Sequence, residues 1–262
     1  MYSTKLNFFY PLYRYLNGIT VKIRIIGPVV RTGPRREPLE DYLKRMHKLT
    51  GLCEDTELDT AGIKKGPTSI ESRYDAIIAS PDILRLINEA EKDGVDAVVV
   101  SCMGDPGVMA GKELVNIPVL GPCETSMLVA SYIGDKTSIV TVLENEVCAI
   151  KENVRAYGLS HKLASARAIN IPVLELRKDQ DRTLKALIEQ SKKAIEEGAK
   201  SIILGCTGMT GLGEKLAEHL DVPVLDPLLV TVKFAELLVR LGLKQSKITF
   251  PTPPPKKMIG YE

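Results

Sequence analysis

The chain has 262 residues, 44% hydrophobic and 26% charged, with a formal net charge of +2. That length holds one large domain or two small ones, and the near balance of charge gives no ground for a nucleic-acid or membrane surface. Tryptophan is absent and aromatics are scarce, which argues against base stacking, and five scattered cysteines fit free thiols in a reducing cytoplasm rather than a disulfide framework.

Residues 1–18 ("MYSTKLNFFYPLYRYLNG") carry an apolar stretch broken by Asn7, Pro11, Arg14 and Asn17. With no small-residue cleavage site, they read as an extension ahead of the fold and not as a signal peptide. No run approaches the roughly 20 apolar residues of a membrane helix. "VKIRIIGPVV" (21–30) predicts a strand. "SPDILRLINEAEKDG" (80–94) predicts a helix with Ser80 as its cap, Pro81 at its first position and Gly94 as its stop. "VDAVVV" (95–100) is a continuous apolar run, as in a parallel strand covered on both faces, and "IPVL" (117–120) is another. A helix follows near 123–133.

From Thr137 the plan restarts. "SIVTVL" (138–143) and "IPVLEL" (171–176) predict strands separated by a helix over 145–158. A helix over 181–198 leads to the strand "SIILG" (201–205), a short helix at 216–220, the strand "VPVL" (222–225) and a last helix over about 227–241. The spacing repeats. Gly94 precedes Cys102 by eight residues and Gly198 precedes Cys206 by eight; Pro118 follows Cys102 by 16 and Pro223 follows Cys206 by 17. A repeat of about 100 residues predicts two similar lobes, each with a mostly parallel sheet. Ligands of such sheets sit beyond the carboxyl ends of the strands, where both cysteines fall.

Two thiols facing one cleft from opposite sides suit inversion of a stereocentre. One, as thiolate, takes a proton from one face of a carbon and the other, as thiol, returns a proton to the opposite face. "CMGDPG" and "CTGMTG" follow the two strands, and their glycines let backbone N–H groups come close to an anion or enolate oxygen. A single cysteine is more often a small hydrophobe, and Cys53, Cys123 and Cys148 are read that way. The pair Cys102 and Cys206 is read as catalytic because spacing and turn match. With no His or third Cys beside either, a zinc site is disfavoured. His47, His161 and His219 are read as surface or packing residues, and "FPTPPPKK" (250–257) as an extended polyproline tail.

These motifs resemble the aspartate/glutamate racemase superfamily, and within it the hydantoin racemase branch. "CMGDPG" and "GCTGM" are similar to that branch's two cysteine motifs, and "GPTSIESRYDAIIASPDIL", "SIVTVLENEVCAIKENVRAYGL", "LASARAINIPVLEL" and "VPVLDPLLVTVKFAELL" to its flanking segments. The resemblance covers about residues 60–242. It implies racemisation without a cofactor, self-association into oligomers, and a last helix that packs back on the first lobe. It implies acid–base roles for Cys102 and Cys206, and substrate-cradling turns at Gly104, Asp105, Thr207, Gly208 and Met209. Asp105 is equally read as a cap of the helix that follows it, and Thr125 and Ser126 as caps rather than substrate contacts. The first-strand turn "GPVVRTGPRREP" departs from the Asn-Pro-Asn type common among relatives, and Arg31, Arg35 and Arg36 in it are read as a solvated basic loop. Gly208 stands where the glutamate racemase type has a His.

The expectation is therefore an α/β fold of two pseudo-symmetric Rossmann-like lobes, each a mostly parallel four-stranded sheet flanked by helices, with the active site in the cleft between them. Residues 19–122 and 226–262 form the first lobe and 123–225 the second. The expected activity is cytoplasmic, cofactor-free racemisation of a small carbon acid, most simply a 5-substituted hydantoin or allantoin, with no metal, nucleic acid or membrane partner. The alternatives are an aspartate/glutamate-type racemase, a maleate isomerase- or decarboxylase-like enzyme using one cysteine, and a non-catalytic ligand-binding or redox-sensing protein.

Overall fold

Two separate parallel sheets organise the chain in a computed structural model that describes residues 20–33, 37–257 and 259. The first contains β1 (Val21–Gly27), β2 (Thr56–Gly62), β3 (Ala97–Val100) and β4 (Val119–Leu120), in the order β2-β1-β3-β4. The second contains β5 (Thr137–Thr141), β6 (Leu163–Ala168), β7 (Ser201–Leu204) and β8 (Val224–Leu225), in the order β6-β5-β7-β8. The identical order makes the repeat structural, as its spacing predicts. Equivalent registers agree too: Ile26 pairs with Val100 at the end of β1–β3, and Val140 with Leu204 at the end of β5–β7.

Helices cover both sheets: α1 (Leu39–Thr50), α2 (Arg73–Lys92), α3 (Val108–Leu114), α4 (Pro122–Ile133), α5 (Glu144–Ala156), α6 (Gln180–Glu196), α7 (Gly213–Ala217) and α8 (Pro227–Arg240). The four residues of β3 are fully buried because each face meets a different layer. Val98 and Val100 pack with Ile83, Ile87 and Val108 of α2 and α3. Ala97 and Val99 pack with Met46 of α1 and with Leu228, Val232 and Ala235 of α8. An apolar run without alternation is the sequence signature of such two-sided burial.

Three segments depart from the sequence expectation. The helix expected from Ser80 starts at Arg73, with Ser72 as its cap, accepting from the Asp75 N–H at 3.2 Å. Pro81 therefore lies inside α2, and the Ser80 hydroxyl donates to the Ala76 carbonyl at 2.7 Å. Burial of Ala79, Ile83, Leu86, Ile87 and Ala90 outweighs the ring's cost of about 3 kcal/mol. The strand expected over 171–176 is a short 3₁₀ turn at Val173–Glu175, and the strand is the earlier β6. Ile171 and Leu176 are apolar because they plug the second lobe's core, at 3% and 1% exposure. β6 is an edge strand of small residues with little apolar signal. The edge strand β2, with one buried residue, has no counterpart in the sequence reading for the same reason; the amphipathic helix α1, whose Met46 is fully buried against the first sheet, has none either.

The lobes exchange a helix. α4 follows β4 of the first sheet, yet Cys123, Met127 and Ala130 pack on Ile139, Ala166, Ile203 and Leu225 of the second. α8 follows β8 of the second sheet and covers the first. The two helices also pack against each other. We expect Leu228→Ala, at a site only 3% exposed, to cost about 2–5 kcal/mol. Because α8 and α4 join both cores, urea unfolding followed by fluorescence and amide exchange should stay a single transition; two separated transitions would contradict the exchange as a coupling device.

Candidate active site

In each sheet the chain leaves the central strand toward both sides, β1 to β2 and then β3, β5 to β6 and then β7. The crevice at that reversal opens at the carboxyl ends of β1–β3 and β5–β7. Cys102 stands two residues beyond the end of β3 and Cys206 two beyond the end of β7. Both are half-buried free thiols. The turns meet directly: the Thr207 hydroxyl donates to the Ser101 carbonyl at 2.9 Å, joining the residue after one cysteine to the residue before the other.

The two turns share one hydrogen-bond scheme. The Gly104 N–H points at Cys102 Sγ (3.4 Å) and the Gly208 N–H at Cys206 Sγ (3.3 Å). These amides, expected to cradle a ligand, are thus directed at the sulfurs and favour the thiolates. A Cβ on Gly208 would lie 3.2 Å from its sulfur and 3.3 Å from Leu176. Among the described residues no hydrogen-bond partner takes up the N–H of Met103 or Thr207, the residue just after each cysteine. Met209, expected at the substrate, is fully buried in the second lobe's core, and its N–H is bonded to the Cys206 carbonyl.

Asp105 is likewise occupied. Its Oδ1 accepts from the Cys123 N–H (3.0 Å) and its Oδ2 from the Glu124 N–H (2.9 Å) and the Tyr157 hydroxyl (2.8 Å). It caps α4, 18 residues on, and not the helix next in sequence. The price is a left-handed backbone, φ 47°, which Asp tolerates better than most residues. Gly121 leaves the room: a Cβ there would fall 2.3 Å from the Asp105 carboxyl carbon. Thr125 and Ser126 lie buried within α4 and are not its cap, which is Gly121. In the second lobe the carboxylate sits on the other partner. Asp226 caps α8 and accepts from the Gly211 N–H (2.9 Å) and the Thr210 hydroxyl (3.1 Å) of the Cys206 turn.

One face of α5 reaches across to the Cys102 turn. Asn153 donates to the Gly104 carbonyl at 3.1 Å, and Tyr157, four residues on, holds Asp105. Seven residues before Asn153 the same face carries Glu146, which is 7% exposed. On the second cysteine, Arg177 donates to the Gly208 carbonyl at 2.9 Å. The lobes are further joined by Glu71, which accepts from the Val173 N–H at 2.7 Å, and by the Arg73–Glu152 ion pair at 2.5 Å. None of Glu71, Glu146, Asn153, Tyr157 or Arg177 stood out in the sequence. The 146/153/157 spacing on one helix face was the available signal.

Burial raises both thiols, Cys206 to about 11 and Cys102 further; the glycine N–H groups oppose this, and Arg177 helps lower Cys206. Burial also lifts Asp105 to about 7, against the pull of its three donors. It lifts Glu146 to about 7, with the neighbouring carboxylates of Asp75 and Glu71 adding to the shift.

Other expected residues lie elsewhere. Cys123 is buried in the core, and Cys53 and Cys148 are exposed. His47 contacts the Cys53 carbonyl. Arg31 is exposed, and Arg35, Arg36 and residues 1–18 lie outside the described residues. The 250–257 tail is without regular structure. Just before it, Gln245 and Lys247 donate to carbonyls of Lys112, Glu113, Val115 and Ile117 at the end of α3. Among the described residues no three His, Cys, Asp or Glu side chains gather as metal ligands.

Because Glu146 holds its proton more tightly in the folded chain, its stabilising contribution is complete below about pH 4.5 and is lost as pH rises through about 7. Glu146→Gln should therefore melt with the parent chain at pH 4.5 and become the more stable by about 1–2 kcal/mol at pH 8. Equal thermal midpoints at both pH values would contradict this.

Comparison with known proteins agrees with this architecture. Residues 40–235 match the Asp/Glu/Hydantoin racemase family. A hydantoin racemase of Pseudomonas sp. (strain NS671) is 38% identical over 242 residues, 92% of this chain and 95% of the relative. One from Rhizobium meliloti is 34% identical, over 92% and 98%. The solved allantoin racemase of Klebsiella pneumoniae superposes with a TM-score of 0.83 at 31% identity, covering 92% of this chain and 97% of that one. Two parallel four-stranded sheets in the same order, with half-buried cysteines at equivalent strand ends, and this similarity over nearly the whole length lead to one conclusion: the chain belongs to the Asp/Glu/Hydantoin racemase family.

Proposed function

We propose that the protein is a cofactor-independent racemase of a small carbon acid, a 5-substituted hydantoin or allantoin, with Cys102 and Cys206 as its acid–base pair. The observation that carries this reading is the matched placement of the two thiols, two residues beyond β3 and β7, each facing the N–H of the glycine two residues on. The relatives named hydantoin racemase and allantoin racemase support the substrate class.

Cys206, the more acidic thiol, is the resting base. As thiolate it removes the proton from the stereocentre on one face. The electron pair moves into the adjacent ring carbonyl, giving an enolate. The Cys102 thiol then delivers its proton to the opposite face. The product has inverted configuration, Cys206 holds the substrate's proton and Cys102 is the thiolate; the opposite enantiomer runs the same steps backwards. The N–H groups of Met103 and Thr207 are placed to hold ligand oxygens as charge develops. A raised thiol pKa makes the thiolate scarcer but a stronger base, which favours removal of a weakly acidic C–H proton.

In this reading Gly104, Asp105, Gly208 and Met209 shape the two turns, and Thr207 both joins them and offers its N–H. Residues 19–122 with 226–262 act as one lobe and 123–225 as the other. Self-association, implied by the family resemblance, and a reducing cytoplasmic setting for the free thiols belong to the same proposal.

In deuterated water, a single-enantiomer hydantoin should gain deuterium at C5 as it inverts, followed by polarimetry and NMR. Cys102→Ser and Cys206→Ser should each lower inversion by at least about 100-fold; full turnover in both would end the proposal. A further outcome concerns pH. With Cys206 near 11, kcat/KM should keep rising above pH 9 rather than level off at the usual thiol value, and iodoacetamide should label Cys206 before Cys102.

A further inference from the structure

Glu146 has no role in the fold or in the proton transfer just described. It is the third residue of α5, it is 93% buried, and no hydrogen bond or ion pair joins its carboxylate to another described residue. Asp105, equally buried, has three donors. The Glu146 side chain is buried while its carboxylate oxygens keep contact with solvent and have no protein donor, so a ligand's N–H groups can reach and pair them.

Its place in the fold says where that ligand lies. Glu146, Asn153 and Tyr157 share one face of α5, and the last two hold the Cys102 turn. Two turns nearer the helix start, Glu146 lies just past the carboxyl end of β5, on the helix face whose Asn153 bonds the Cys102 turn, and its charge acts on both Cys102 and Cys206. From the first lobe, the charges of Glu71 and Asp75 act on it. Both have partners of their own: Glu71 accepts from the Val173 N–H, and Asp75 from the Ser72 hydroxyl and the Glu71 N–H.

We propose that Glu146 determines substrate specificity: it accepts N–H donors from a substituent that carries ureido, guanidino or ammonium nitrogen, and together with Glu71 and Asp75 it turns away a substituent ending in carboxylate. The inference rests on the racemase reading and narrows it. An alkyl substituent would cover Glu146 and leave it unpaired. A carboxylate would bring another like charge up to the three acidic side chains. An N–H-rich group satisfies the unpaired oxygens, so discrimination arises from what the wrong ligand leaves undone as much as from what the right one gains.

The test is equilibrium binding to the full chain carrying Cys102→Ser and Cys206→Ser, measured by calorimetry with three probes: allantoin, whose substituent is ureido, 5-isobutylhydantoin and 5-(carboxymethyl)hydantoin. Allantoin should bind at least tenfold more tightly than either of the others. Adding Glu146→Ala should remove that margin by weakening allantoin tenfold or more. Glu146→Gln, which keeps one carbonyl acceptor, should fall between and carries the comparison if the Ala variant does not fold. Comparable affinity for allantoin and 5-isobutylhydantoin, a preference for the carboxylate probe, an unchanged margin in the Glu146 variants, or no binding of any probe would overturn the inference. Racemisation of 5-isobutylhydantoin by the unmodified chain, run in parallel, separates the two ideas. Inversion without a binding preference sinks the specificity role alone, and a binding preference without inversion of any probe sinks the racemase reading alone.

Discussion

The structure depends on an exchange of helices. α4 and α8 each complete the core of the sheet they do not follow, and they pack on one another. Neither sheet keeps its apolar face dry without a helix that enters from the other repeat. This burial is non-directional and large compared with the polar contacts around it, so it sets how far apart the two sheets stand.

The polar contacts refine what the exchanged helices impose. The start of α4 is capped by Asp105 from the Cys102 turn, and the start of α8 by Asp226, which itself holds the Cys206 turn. In both lobes one carboxylate ties a cysteine turn to an exchanged helix. It stands on the turn in one lobe and on the helix in the other, and Gly121 lacks a side chain where Asp226 carries one. The swap also leaves the two thiols unlike: Cys206 feels Arg177, while Cys102 lies nearer the buried Asp105.

Within the turns the backbone divides its donors. The amide two residues after each cysteine faces the sulfur, and among the described residues the amide one residue after has no acceptor. At Gly208 a Cβ would crowd both the Cys206 sulfur and Leu176, whereas at Gly104 it would meet its sulfur only at ordinary contact distance. The same division explains why Met209 faces the core: the 3₁₀ turn at Thr207–Met209 points its third side chain inward while its first stays at the cleft.

The sequence alone determined the repeat, the parallel strands and the equivalent places of Cys102 and Cys206 after their strands, because these are written in local patterns. Continuous valine and isoleucine runs mark strands buried on both faces, and equal spacing from stop glycine to cysteine marks equivalent strand ends. Edge strands such as β2 and β6 were illegible, since exposure and small residues leave them weak apolar signals, and the apolar run at 171–176 misled because a core plug and a strand share that pattern. Only the tertiary structure decided which helix start Asp105 caps, that the Gly104 and Gly208 amides face sulfur, and that Glu146 is buried without a hydrogen-bond partner among the described residues. Each of these contacts joins residues far apart in the chain, and hydrogen bonds and charges across such separations leave no period in the sequence to read.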